Sequence, residues 1–159
     1  MGGCLFGLVF VPWANMQLGI PFFSSLISSG LGALIGGGTL WLVAFLHARM
    51  SVALGREFPH WPGEGESVPR PGEADYWLWF PGLGLGDVKL LAMIGAFLGP
   101  WGALDTVVCA SVFGLVAGVL WGLIRRDLNA PFGFGPALAC GALIALFFPL
   151  HLFWLGLGH

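Results

Sequence analysis

Gly84-Leu85-Gly86-Asp87-Val88-Lys89-Leu90-Leu91-Ala92-Met93-Ile94-Gly95-Ala96-Phe97-Leu98-Gly99 is the stretch whose reading decides the fold. With Gly82 upstream, three alternate glycines lead to one aspartate, and an apolar run, 88–104, follows it. Such a run approaches the ~20 residues a helix needs to cross ~30 Å of hydrocarbon at ~1.5 Å per residue. Glycines permit irregular backbone, which a membrane tolerates only where protein or a water-lined cavity surrounds it. An acid at the head of such a segment is costly there and marks a functional position by default. The residues alone also allow a cap, in which the Asp87 carboxylate accepts backbone N–H bonds at the helix start. A phosphate loop is excluded, because neither G-x-x-x-x-G-K-[ST] nor G-x-G-x-x-G is present.

The rest of the chain agrees with a membrane setting. Of 159 residues, 57% are hydrophobic and only 9% charged, and the mean hydropathy is +0.89. Soluble domains carry roughly 25% charged residues, so this composition excludes a soluble protein, and with it disorder, collagen and coiled coil. A net charge of −2 from so few groups carries no nucleic-acid signature. Further apolar blocks occupy 26–46, 106–124 and 136–155, and a shorter one covers 2–18. The expected fold is therefore an all-α, polytopic transmembrane bundle of about five spans in one domain, 1–159, lying in a lipid bilayer. No basic n-region precedes the first block, which speaks against a cleavable signal peptide.

Eight of the fourteen charged side chains fall in the long polar connection 47–83. Arg49, Arg56, Arg70, Lys89, Arg125 and Arg126 all come out on one side when crossings are counted. By the positive-inside rule that side is cytoplasmic, which places the N-terminus inside and His159 outside. Prolines and glycines in 50–82 argue against a packed subdomain, and Tyr76-Trp77-Leu78-Trp79-Phe80 reads as an interfacial aromatic anchor. Gly32/Gly36, Gly95/Gly99 and Gly114/Gly118/Gly122 form small-xxx-small steps that suit close helix packing. Cys4, Cys109 and Cys140 are isolated and the four histidines scattered, so neither a metal site nor a disulfide framework nor any cofactor is indicated.

The stretch 84–99 closely resembles the second active-site motif of the type IV prepilin peptidases, polytopic aspartic peptidases of bacterial membranes. The glycine-rich block 26–46 resembles the preceding family helix, and Pro131-Phe132-Gly133-Phe134-Gly135-Pro136 is similar to the family's Pro-Phe-Gly-Pro turn, with two extra residues. The resemblance implies a bacterial inner-membrane endopeptidase that removes the leader of prepilin or pseudopilin precursors at the cytoplasmic face. Asp87 would be one catalytic carboxylate, Gly84 and Gly86 would let the backbone bend toward substrate, and Lys89 would anchor the helix at the interface.

Aspartic proteolysis uses two carboxylates sharing a proton, and the family's first aspartate has no counterpart in residues 1–25. Asp105 lies about 27 Å beyond Asp87 on an unbroken helix. Asp127 sits beside two arginines, and Glu64, Glu66, Glu73 and Asp75 lack any motif. The chain therefore reads as beginning after the first aspartate, the alternative being a truncated or noncatalytic homologue that acts as a membrane binding component. The two Cys-x-x-Cys pairs that the family links to methylation are absent from this sequence; methyltransferase activity and self-association are left open.

Overall fold

The computed structural model describes residues 2–55, 69–78, 80, 84–125 and 134–150, and all regular structure among them is helical. Five helices follow in order: α1 (Gly2–Gln17), α2 (Phe22–Ala53), α3 (Ala74–Leu78), α4 (Leu85–Arg125) and α5 (Gly135–Phe147). Two of them, α2 and the 85–124 part of α4, are long and apolar enough to cross a membrane. The other expected spans are represented by shorter helices: α1 covers nearly all of 2–18, and α5 covers the first part of 136–155.

The α4 helix doubles back on itself. Phe134 and Gly135, adjacent in sequence, touch positions far apart along it. A Cβ on Gly135 would stand 3.5 Å from Asp87 Oδ1, and a Cβ on Gly114 would stand 2.8 Å from the Phe134 ring. On a straight helix Asp87 and Gly114 would be about 40 Å apart. The chain reverses at Gly99, whose φ of 73° and ψ of −176° interrupt the helix. Left-handed backbone suits glycine, and Pro100 is tolerated where the second arm starts because its missing N–H would be unpaired there anyway. The arms 85–98 and 100–125 correspond to the two expected spans 88–104 and 106–124, but the break falls at Gly99–Pro100, not at Asp105. Asp105 is instead buried in the second arm at 6% exposure. The ~27 Å separation from Asp87 expected of an unbroken helix is therefore shortened by the reversal.

Glycines set the contacts of this bundle. Antiparallel α2 lies against the first arm with Gly32 on Gly95, so that a Cβ on either would overlap the other's carbonyl. A Cβ on Gly36 would stand 2.6 Å from the Leu91 carbonyl, and one on Gly37 2.9 Å from the Ala92 methyl. On the other side α5 runs antiparallel to the second arm, with Gly141 against the Thr106 carbonyl and the Ala110 N–H. Between these layers lies a core of Leu40, Leu91, Ile94, Ala110, Ala137 and Leu138. Apolar side chains gain little from leaving lipid, so close backbone approach and dispersion are what hold such helices together. Gly118 departs from that expectation: nothing lies within 4 Å of a Cβ placed there.

The described parts of the connection 47–83 pack on the bundle. Residues up to Ala53 continue α2, and Ala74–Leu78 form a helical turn. The aromatic segment folds back onto α2. Trp77 stacks on Phe45 at 5.3 Å between centroids and on Trp41 at 6.3 Å, while Phe80 is buried against Ala44 and Ala48. Trp41 Nε1–H donates to the Trp77 carbonyl at 2.9 Å. Trp79, Arg56, Arg126 and the Pro131–Gly133 turn lie outside the described residues.

Candidate active site

Asp87 sits in the first turn of α4. Its backbone N–H donates to the Gly84 carbonyl at 3.1 Å, so the Gly84–Asp87 segment closes a turn as the helix begins. Capping geometry of the expected kind does not occur: the helix has started at Leu85, and the carboxylate accepts no hydrogen bond among the described residues. The carboxylate is half-buried and faces the start of α5, where Gly135 leaves it room.

Gly84 and Gly86 are both exposed, and a Cβ on Gly86 would meet nothing within 4 Å. Lys89 is exposed as well and points elsewhere. With Gly86, Leu90, Ala92 and Met93 it lines a groove of about 340 Å³ whose other wall is Gly3 and Cys4 of α1. Asp87 therefore looks toward α5 and Lys89 toward α1. The four residues singled out in the sequence form one turn, but that turn presents two faces.

Helix α1 runs parallel to the first arm: Gly3 abuts Met93, and Gly7 abuts Ala96 and Phe97. Its first residues are thus only a few positions above the level of Asp87. The same end of the bundle holds Lys89, Arg49 and Arg70. At the opposite end, a second cavity of about 370 Å³ opens between Asn15, Ser25, Ser28, Ser29 and Gly99.

Among the described residues no other acid joins Asp87. Glu73 Oε2 accepts the Arg70 N–H at 3.0 Å in the strap, Asp75 opens α3, and Asp105 lies in the second arm toward the reversal. Glu57, Glu64, Glu66 and Asp127 lie outside the described residues, as do His60, His151 and His159. Among the described residues no three His, Cys, Asp or Glu side chains converge as a metal site would need, and the three cysteines are free.

Sequence reasoning missed the setting of Arg49. Its guanidinium carbon lies 3.8 Å from the Tyr76 ring centroid and 5.4 Å from that of Phe45, and Nη2 donates to the Tyr76 carbonyl at 2.9 Å. Trp41, Phe45 and Arg49 recur every fourth residue, which places them on one face of α2. That spacing was the available signal.

An all-helical bundle with long apolar helices and one acid on a glycine-lined turn defines a membrane-type helical protein with a polar active-site candidate at one end. The Type IV leader peptidase family profile matches residues 2–119, and the chain belongs to that family. A prepilin leader peptidase/N-methyltransferase of Pectobacterium carotovorum subsp. carotovorum is 35% identical over 126 residues, covering 78% of this chain and 35% of that protein. One from Xanthomonas campestris pv. campestris is 31% identical over 118 residues, 74% of this chain and 32% of the relative. A third, from Burkholderia pseudomallei, reaches 45% identity over 78 residues, 45% of this chain and 24% of the relative. The chain thus spans about a third of the length of these relatives. No solved structure matches it significantly.

Proposed function

We propose that this chain forms the part of a membrane aspartic endopeptidase that carries one catalytic carboxylate, Asp87, and that the enzyme removes leaders from prepilin-like or pseudopilin precursors. The observation that carries this reading is the position of Asp87: a half-buried carboxylate in a first helical turn, approached through exposed Gly84 and Gly86. Membership of the leader peptidase family supports the reaction class. The five-span bundle, the single domain 1–159, the bacterial inner membrane and a cytoplasmic active site belong to the same proposal. Clustering of the basic residues with Asp87 supports the sidedness.

Chemically, one carboxylate of a dyad stays protonated and polarises the scissile carbonyl, while its ionised partner takes a proton from the attacking water. The glycine turn leaves backbone room for an extended substrate beside Asp87. Lys89, on the α1 side, serves as an interfacial anchor and takes no part in proton transfer. The second reading, a noncatalytic homologue that binds precursors, draws on the lack of another acid beside Asp87 among the described residues.

The test is leader cleavage of a prepilin-type precursor in membranes containing the complete protein. Asp87→Asn abolishes cleavage, a loss of at least ~100-fold, because the amide neither shares nor transfers the proton. Retained cleavage in Asp87→Asn removes Asp87 from the mechanism. A complete protein that binds precursors without cleaving them favours the noncatalytic reading.

A further inference from the structure

The Arg49 side chain is unusual for its place. Among the described residues its Nε is buried without a hydrogen-bond partner, and the guanidinium spends its contacts on the Tyr76 ring, the Phe45 ring and one backbone carbonyl. Such a planar cation is held by stacking and by one directed bond, which a lysine ammonium cannot reproduce. What it holds is the strap. Tyr76 and Trp77 meet at 5.2 Å, edge to face, and Trp77 lies in near-parallel stacks on Phe45 and Trp41. Phe80 is then 6% exposed between Ala44 and Ala48.

The Asp87 turn begins four residues after Phe80. Past it, α4 is fixed again on the same helix, where Leu91 meets Gly36, and Val88 packs on the core that includes Leu40. The Gly84–Asp87 turn is therefore suspended between two anchors on α2: the aromatic strap before it and the glycine contact after it. Glycines at 84 and 86 provide no stiffness of their own.

We infer that Arg49, through Tyr76 and the strap, is a positioning residue for Asp87. Its relevance to catalysis rests on the peptidase reading, but the placement can be measured without any cleavage. A nitroxide label is attached at Gly86→Cys in the full chain, with Cys4, Cys109 and Cys140 replaced by serine or alanine, and its mobility is read by EPR in detergent. A second label at Asp75→Cys reports the strap, and a third at the exposed Val112→Cys reports the fold. Arg49→Lys and Tyr76→Ala each shorten the rotational correlation time at position 86 severalfold, while Tyr76→Phe, which keeps the ring and the carbonyl, leaves it unchanged. The label at 112 is unaffected throughout. Loosening at 75 with none at 86 overturns the inference, since the strap would then be tied down without steering the turn. Loosening by Tyr76→Phe equal to that by Tyr76→Ala overturns it as well. If Arg49→Lys disturbs position 112, Tyr76→Ala alone decides by the same criterion. None of these results depends on whether Asp87→Asn blocks cleavage.

Discussion

Replacing Gly36 by alanine pits two physical effects against each other, and the geometry decides between them. Glycine inside a helix is less favourable than alanine by ~0.5–1 kcal/mol, because glycine loses more backbone freedom on folding. At Gly36, however, the new methyl would stand 2.6 Å from the Leu91 carbonyl, whereas ordinary contact begins at 3.4 Å. To relieve this, α2 and the first arm of α4 must part by about 0.8 Å locally, since the obstacle is backbone and cannot rotate away. A radial gap of ~0.5–1 Å forfeits a quarter to a half of each dispersion contact along the seam, and overpacking of this kind costs ~1–3 kcal/mol. Overpacking is the larger effect, so Gly36→Ala is destabilising by about 1–2 kcal/mol net. Gly38, two residues on, has nothing within 4 Å of its Cβ position, so Gly38→Ala is stabilising by up to ~1 kcal/mol. The assay is thermal unfolding of both variants in one detergent, where ~1 kcal/mol corresponds to roughly 2–4 °C for a chain of this size. Shifts of opposite sign are expected. Equal shifts, or stabilisation by Gly36→Ala, would refute the proposed seam between α2 and α4.

Three further outcomes follow from the same packing. Gly99→Ala forces a β-carbon into left-handed backbone, costing about 1–2 kcal/mol, and lowers the midpoint of thermal unfolding; an unchanged midpoint would remove the reversal at that residue. Gly141→Ala places a methyl 2.6 Å from the Thr106 carbonyl and loosens α5, which is read as faster proteolysis between α4 and α5. Gly118→Ala meets open space and leaves that rate unchanged.

The acid and its glycine approach were legible in the sequence because they form a local pattern: one charge at the head of an apolar run needs no knowledge of the rest of the fold. The reversal was not. Apolar run length points to the polar residue that interrupts the run, Asp105, whereas backbone geometry selects the Gly-Pro pair at 99–100. Spacing of small residues identified Gly32 and Gly36 correctly as packing points, yet the same spacing at Gly114/Gly118 could not reveal that a Cβ would meet close neighbours only at the first of them. The docking of Tyr76 and Trp77 was out of reach for another reason. Trp41 and Trp77 are 36 residues apart, and a run of aromatics reads equally well as an interfacial anchor or as a patch that closes on its own helix.

The turn at Gly99 also fixes a depth. It leaves the arm that carries Asp87 with residues 85–98, a rod of about 21 Å, while the hydrocarbon layer is ~30 Å thick. A rod shorter than its film cannot show both ends at the film's surfaces. In the proposed bundle, with the turn at one surface, the carboxylate lies several ångströms beneath the other, where either the lipid thins or water descends to meet it. On the function proposed above, a scissile peptide bond brought to Asp87 is drawn below the waterline, and the bilayer's local thickness becomes a variable of the reaction.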